Sequence, residues 1–346
     1  MSDIARIGFV GGGSHANRRL YPALKMVQEA RLVAVCDIDE ATADRTASHW
    51  GAAETYYDID RMLDQAALDA VVICGSPQMH LALGRKCIER KLPFYVEKPS
   101  AIDCKTATQF ADEAEAAGVK AMCGFMKRYS PAYLAAMQIQ QTAEFGEQSM
   151  AEIRFSQGPY PKLWGIEENM RAFLIGQLVH IFDLTHFLCG KVKTVHAQLM
   201  QHSDDYGVFA VNLQFASGAL GIMSLNAMES TDWIFNEVVH LTGFQEYVRV
   251  EDQLYIKYRP KTGWLPEALR DSTLLNNQTM QFAPPLILQH NSLEVGGYVG
   301  EMRDLAVCSI SDKQPDATLR HCAHALQLAE GIWKSSQSGQ TVALNY

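Results

Sequence analysis

Short apolar runs alternate with amphipathic stretches along the first third of the chain. The runs at 7–10, 32–36, 70–74 and 93–96 are rich in β-formers and carry few polar residues, which is the signature of strands buried on both faces. Helical patterns lie between them, running to about residue 29, then around 40–50, 60–65, from His80 to about 90, and over about 105–117 before a last strand at 120–123. Strands alternating with helices of this length predict a doubly wound parallel sheet, a Rossmann-type α/β domain over residues 1–124. Right-handed crossovers then bring the loops after residues 10 and 96 to one edge of the sheet. Open α/β sheets hold their ligands at that edge.

After Gly124 the alternation stops. Pro131 stands near the start of a helix reaching to about residue 142, as proline does in a first turn. Ala151, Ile153 and Phe155 then alternate with Glu152 and Arg154, a strand with one face buried. Further strand patterns recur at 195–200, 209–215, 219–225, 237–241, 247–251 and 254–258, with Ala216-Ser217-Gly218 as a hairpin turn between two of them. Strands in such close succession predict an α+β domain with a mostly antiparallel sheet over residues 125–346.

Composition narrows the class. A chain of 346 residues is too long for one ordinary core, and 48% hydrophobic with 20% charged residues marks it as globular. The net charge of −9 argues against a nucleic-acid partner. Its eight cysteines include no C-x-x-C pair, so reduced thiols and a cytoplasmic location are expected. No basic-then-apolar leader and no apolar stretch of about twenty residues is seen, so neither secretion nor a membrane partner is expected.

The chemistry concentrates at the strand ends. The strand at 7–10 runs into Gly11-Gly12-Gly13-Ser14-His15-Ala16, a G-x-G-x-x-A sequence between strand and helix, the context a dinucleotide fingerprint requires. The first glycine permits the turn, the second lets backbone approach a pyrophosphate, and backbone N–H groups at the helix start face the anion. Asp37 ends the next strand, where an acid meets ribose hydroxyls; Asp39 is the better helix cap, which leaves Asp37 for the ribose. A carboxylate there repels a 2′-phosphate, so NAD is expected over NADP, with Arg18 and Arg19 as counterweights. The strand at 93–96 emerges into Glu97-Lys98-Pro99, where proline restrains the turn that carries the lysine; a cis Lys98-Pro99 bond is open at this stage.

Gly11-x-Gly13-x-x-Ala16, the Asp37 strand end, Pro77-x-x-His80 and Glu97-Lys98-Pro99 follow one another as in the glucose-fructose oxidoreductase / inositol dehydrogenase (Gfo/Idh/MocA) family, and the chain resembles that family almost throughout. The closing pattern Gly297-Tyr298, Glu301, Ser335 and Gly339-Gln340-Thr341-Val342 belongs to the likeness. The resemblance implies NAD(P)-dependent oxidation or reduction of a sugar, cyclitol or derivative, with Lys98 beside the nicotinamide helping to move or stabilise the hydroxyl proton. It also implies a homodimer or homotetramer formed through the open face of the second sheet. The cofactor set is then Gly11, Gly13, Ser14, His15, Ala16, Asp37, Ser76, His80, Glu97 and Lys98.

Within the segment 171–190, the stretch from His180 to Gly190 resembles the family's His-x-x-Asp helix ending in glycine, with His180, Asp183 and Gly190 in those places. Many catalytic members carry Asp four residues before the histidine, sharing a helix face with it; here that residue is Gly176. His180 is the candidate base beside Lys98, since imidazole titrates near neutrality; the alternative is a core histidine bonded to Asp183. Arg128, Tyr160, Lys162, Trp164 and Arg171 are candidates for a carbohydrate pocket, Trp164 as a ring that stacks on a sugar face. With Lys98, His180 and Asp183 they make up the substrate side. No metal site is expected: His180 and His186 lack i,i+4 spacing, and His321 and His324 are an isolated pair expected on a surface helix. Two other functions stay open, a glycosidase that transiently oxidises its sugar with NAD and a non-catalytic NAD- or sugar-sensing protein.

Overall fold

The computed structural model describes residues 4–229, 236–260, 280–282 and 292–346. Its chain divides into two compact units, Met1–Tyr129 with Gly296–Gln327, and Ser130–Val295 with Leu328–Tyr346. The division differs from a single boundary after residue 124, because Gly296–Gln327 packs with the N-terminal unit. Polar contacts at least partly shielded from solvent tie it there. Tyr95 donates to Glu301 (3.1 Å), Tyr129 donates to Asp304 (2.8 Å), and Lys120 donates to the Cys308 carbonyl (3.0 Å).

The first unit holds a six-stranded parallel sheet of β1 (Ala5–Val10), β2 (Ala30–Cys36), β3 (Glu54–Tyr56), β4 (Ala70–Ile73), β5 (Phe94–Val96) and β6 (Ala121–Cys123), in the order β3-β2-β1-β4-β5-β6. Every residue of β4, β5 and β6 is buried, as uninterrupted apolar runs require. Side chains set the helix starts. Asp39 accepts from Thr42 N (2.7 Å), Asp58 from Arg61 N (2.9 Å), Ser76 from Met79 N (3.3 Å) and Asp103 from Thr106 N (2.8 Å). Each such cap contributes about 1 kcal/mol. The Asp39 cap was legible in sequence, but the helix starting at Pro77 was not placed correctly: His80 lies inside Pro77–Glu89 rather than at its start.

The second unit carries β7 (Met150–Ser156), β8 (Val192–Gln201), β9 (Gly207–Phe215), β10 (Leu220–Asn226), β11 (Asn236–Thr242), β12 (Tyr247–Glu251), β13 (Tyr255–Arg259), β14 (Met280–Phe282) and β15 (Val342–Ala343). They form one nine-stranded sheet in the order β14-β13-β12-β11-β7-β10-β9-β8-β15. Among the described residues only β7 and β10 pair in parallel; the other neighbours are antiparallel. Alternating burial along β9 gives the sheet one covered and one open face.

Two expectations change here. Position 176 and His180, expected one helical turn apart, belong to two helices: Asn169–Gly176 and Val179–Cys189 meet at a 46° bend. The amides of Gln177 and Leu178 both reach the Phe173 carbonyl (3.1 and 3.0 Å), which widens the turn and ends the first helix. Residue 176 and His180 therefore stand on opposite sides of a break rather than along one helix face. The pair His321 and His324 is half-buried rather than on an exposed face. His321 Nδ1 accepts from Thr318 N (3.0 Å), which burial reinforces by lowering the imidazole to about 3.

That lowered value sets a pH dependence. A histidine depressed in the fold stabilises it above its unfolded value near 6.5 and loses that contribution as pH falls towards about 3. The His321→Gln variant, followed by urea unfolding, is expected to show a shallower stability loss between pH 6.5 and 4 than wild type. Parallel curves would contradict the assignment. All eight cysteines are free, and no single helix among the described residues is long and apolar enough to cross a membrane.

Candidate active site

The C-terminal ends of β1, β4 and β5 converge on a cleft of about 300 Å³ in the first unit. Gly13, Ser14, His15, Ala16, Cys74, Gly75, Glu97 and Lys98 line it. Gly11 closes the turn out of β1 at φ +105°. A Cβ there would stand 2.3 Å from the Cys74 carbonyl oxygen, so only glycine fits. At Gly13 a Cβ would meet nothing within 4 Å, and the backbone is bare towards the cleft. The following helix opens in the wide π form over Ala16–Leu20 and continues through Tyr21–Lys25, ending before the predicted residue 29. Asn17 fastens the loop by donating to the carbonyls of Gly12 (2.7 Å) and Gly13 (3.1 Å).

Asp37 leaves the helix cap to Asp39. Its Oδ2 accepts from Gly12 N (2.8 Å) and its Oδ1 from Asp39 N (3.0 Å), which fixes a carboxylate beside the fingerprint loop. Of the two counterweights, Arg18 is exposed and Arg19 places its guanidinium 5.9 Å from the centre of the Tyr298 ring.

Across the cleft, Lys98 follows β5 and its bond to Pro99 is cis. Glu97 is buried and its Oε1 meets His15 Nε2 (3.1 Å) and accepts from the Tyr95 hydroxyl (2.9 Å). Burial alone would raise this carboxyl, but the imidazole of His15, the ammonium of Lys98 and the Tyr95 hydroxyl bring it down to about 2. These neighbours favour the carboxylate form of Glu97. For Lys98 the balance is reversed, since burial lowers its ammonium against the opposing pull of Glu97. A lysine eased towards proton exchange beside a fixed anion is a group suited to moving a hydroxyl proton.

His80 belongs behind the cleft rather than in it. Its ring is fully buried; Nε2 accepts from Gly75 N (3.1 Å), so Nδ1 carries the hydrogen donated to the Pro99 carbonyl (3.0 Å). With both nitrogens committed, it holds the turns after β4 and β5 in place, a different part from the direct cofactor contact expected of it. Ser76 likewise caps its helix through Met79 N. Arg128, expected at the substrate side, is a buried residue at 5% exposure whose guanidinium donates to the Asp316 carbonyl (2.9 Å), inside the first unit. Tyr95, Glu301 and Tyr298 were absent from the site set read from sequence. A tyrosine inside a fully buried strand needs a polar partner, and that was the available signal.

In the second unit His180 and Asp183 are buried on the helix Val179–Cys189, at 7% and 1% exposure. Tyr160 is buried, Trp164 and Arg171 are half-buried, and Lys162 is exposed.

Two family models match the chain. One, the oxidoreductase family with NAD-binding Rossmann fold, covers residues 5–125; the other, the GFO/IDH/MocA C-terminal domain, covers residues 133–247. The chain belongs to the Gfo/Idh/MocA family. Its first unit is thus an NAD-binding Rossmann domain, and the bare backbone at Gly13 with the cleft before it fits that cofactor. Among relatives, it is 27% identical over 270 residues to the inositol 2-dehydrogenase of Rhizobium meliloti, covering 75% of this chain and 79% of that one. The myo-inositol 2-dehydrogenase of Thermotoga maritima is 26% identical over 230 residues, covering 63% and 67%. A dehydrogenase structure from Chromobacterium violaceum has the same fold, with a TM-score of 0.88 at 22% identity over 98% of this chain and 97% of that one.

Proposed function

We propose that this Gfo/Idh/MocA protein is an NAD-dependent dehydrogenase of a sugar, cyclitol or glycoside hydroxyl, with Lys98 as the group that handles the hydroxyl proton. The observation that carries the reading is the cleft in which Lys98 and Glu97 face the fingerprint loop. Bound NAD supplies the hydride acceptor. With NAD held at the fingerprint loop as acceptor for oxidation of a CH–OH to C=O, Lys98 would stabilise the alkoxide and take up the one proton released. Glu97 keeps the ammonium charge balanced, and His15, whose side chain is 44% exposed, connects Glu97 with solvent. His180 is the second candidate for contact with a substrate hydroxyl, with Asp183, Arg171, Lys162 and Trp164 as further substrate-side candidates. Support for the substrate class comes from the two inositol dehydrogenase relatives. A homodimer or homotetramer built on the open face of the second sheet is part of the same proposal.

The fixed carboxylate of Asp37 supports NAD over NADP. Asp37→Ser is expected to lower the ratio of NAD to NADP affinity by about tenfold or more, the worth of removing one close like-charge contact. Titration of both cofactors by fluorescence quenching measures it, and an unchanged ratio would remove Asp37 from cofactor choice.

The reading is tested by incubating purified protein with NAD and free sugars, sugar acids, cyclitols and glycosides, following NADH absorbance and released aglycone together. NADH formed in proportion to an oxidised sugar supports it. Aglycone released without net NADH would move the activity to the glycosidase, and NAD binding with silence in both channels would favour a sensor.

A further inference from the structure

Away from the cofactor cleft, the first unit holds a further cavity of about 350 Å³, bounded by the helix Tyr21–Lys25, the start of β2 and the end of the helix Glu40–Trp50. Tyr21, Leu24, Leu32 and Trp50 give it an apolar wall, and the exposed Lys25 and Arg31 line it beside them. No acidic residue lines it. Among the described residues neither cation has a carboxylate within 4 Å, whereas Arg6 pairs with Asp69 and Glu29, two residues before Arg31, is held by Arg303 (3.4 Å). The carbonyl end of the helix Glu40–Trp50 brings about half a negative charge, which two full positive charges outweigh. In a chain of net charge −9 the cavity is thus a place of local positive excess.

The same aromatic wall holds the fingerprint loop. The rings of Tyr21 and Trp50 stack with centres 5.7 Å apart, and the Tyr21 hydroxyl donates to the Gly11 carbonyl (3.2 Å). Trp50 Nε1 donates to Asn17 Oδ1 (2.8 Å), and Asn17 in turn donates to the carbonyls of Gly12 and Gly13. The cavity is therefore joined to the NAD-binding loop by short chains of hydrogen bonds within one unit.

We propose that this cavity is an effector site for a phosphate monoester of a small metabolite, and that its occupancy tightens NAD binding. A phosphate monoester carries about −1.5 to −2 charge at neutral pH, which matches two cations, and a guanidinium takes phosphate oxygens in pairs. A monocarboxylate would answer only one of them. The volume suits a small ligand, whose body would lie against Trp50 and the two leucines. A ligand that keeps Trp50 where it stands favours the loop conformation in which Gly13 is bare towards the cleft, and linkage makes the two affinities reciprocal. The inference needs the NAD-binding domain alone and is independent of the substrate oxidised.

Phenyl phosphate is the probe, titrated by calorimetry at constant ionic strength into NAD-saturated protein, so that the fingerprint loop is already occupied. It should bind wild type about tenfold or more tightly than benzoate, the monoanionic control, and lose about tenfold or more in the double variant Lys25→Gln, Arg31→Gln. In the reverse titration, saturating phenyl phosphate should tighten NAD by about fivefold or more in wild type. Trp50→Phe keeps an aromatic ring but loses the bond to Asn17, so the tightening should fall below about twofold there. The comparison of the two probes on wild type keeps the claim testable whichever variant folds. No phenyl phosphate binding to NAD-saturated wild type, equal binding by the double variant, benzoate as tight as the phosphate, or NAD affinity unmoved in wild type would each overturn the proposal.

Discussion

Lys98→Met is expected to lower turnover by about 10³-fold or more while leaving NAD affinity within a few-fold. Methionine keeps the length and apolar body of the side chain and removes its charge and proton. The turn that carries it is fixed independently: His80 bonds the Pro99 carbonyl (3.0 Å), and Glu97 accepts from the Lys98 backbone N–H (3.0 Å). The variant should therefore fold and bind cofactor through the fingerprint loop, which it does not alter. Steady-state rates beside NAD titration by fluorescence separate the two effects. Turnover within tenfold of wild type would remove Lys98 from the chemistry, and a loss explained wholly by NAD affinity would make it a cofactor ligand only.

Gly11→Ala and Gly13→Ala are expected to fail in different ways, although they lie two positions apart in one loop. At Gly11 the new methyl meets the Cys74 carbonyl at 2.3 Å and the backbone sits at φ +105°. Overpacking against immobile backbone and a disfavoured dihedral together cost roughly 2–5 kcal/mol, a large share of the ~5–15 kcal/mol that holds a typical fold. At Gly13 the methyl meets nothing within 4 Å, so stability should stay near wild type. It would, however, stand in the approach of the pyrophosphate, and NAD affinity should fall by about tenfold or more. Urea midpoints and NAD titration for both variants provide the comparison. Equal midpoints would show that the turn after β1 relaxes more easily than its geometry requires, and unimpaired NAD binding in Gly13→Ala would move the pyrophosphate elsewhere.

Much of this organisation was legible because it is local. The fingerprint glycines, the Asp37 strand end and the Glu97-Lys98-Pro99 turn are contiguous patterns whose chemistry follows from residue type and position. The alternation of strands and helices likewise fixed the parallel sheet of the first unit, and the change of rhythm after Gly124 marked the antiparallel sheet of the second. What escaped was long-range or geometric. Glu301 is 206 residues from Tyr95, and no periodicity links them. The break at Gln177 arises from amide bonds to Phe173 inside an apolar run that reads as continuous helix. Arg128 was given an outward role from its residue type and His80 from the family likeness, whereas both are buried and bond to backbone groups. Gly176 appeared in sequence as a missing carboxylate; in the fold it is the gap that Tyr160 fills, a Cβ there standing 2.2 Å from Tyr160 Oη.

The most direct test of the central claim follows a hydrogen atom. Wild type and Lys98→Met are incubated with NAD and carbon-deuterated hexoses, hexuronates and cyclitols, and the NADH formed is weighed by mass spectrometry. The account requires NADH from wild type carrying one deuterium taken from the oxidised carbon, and almost none from Lys98→Met. NADH without the label, or labelled NADH formed equally fast without Lys98, would contradict it.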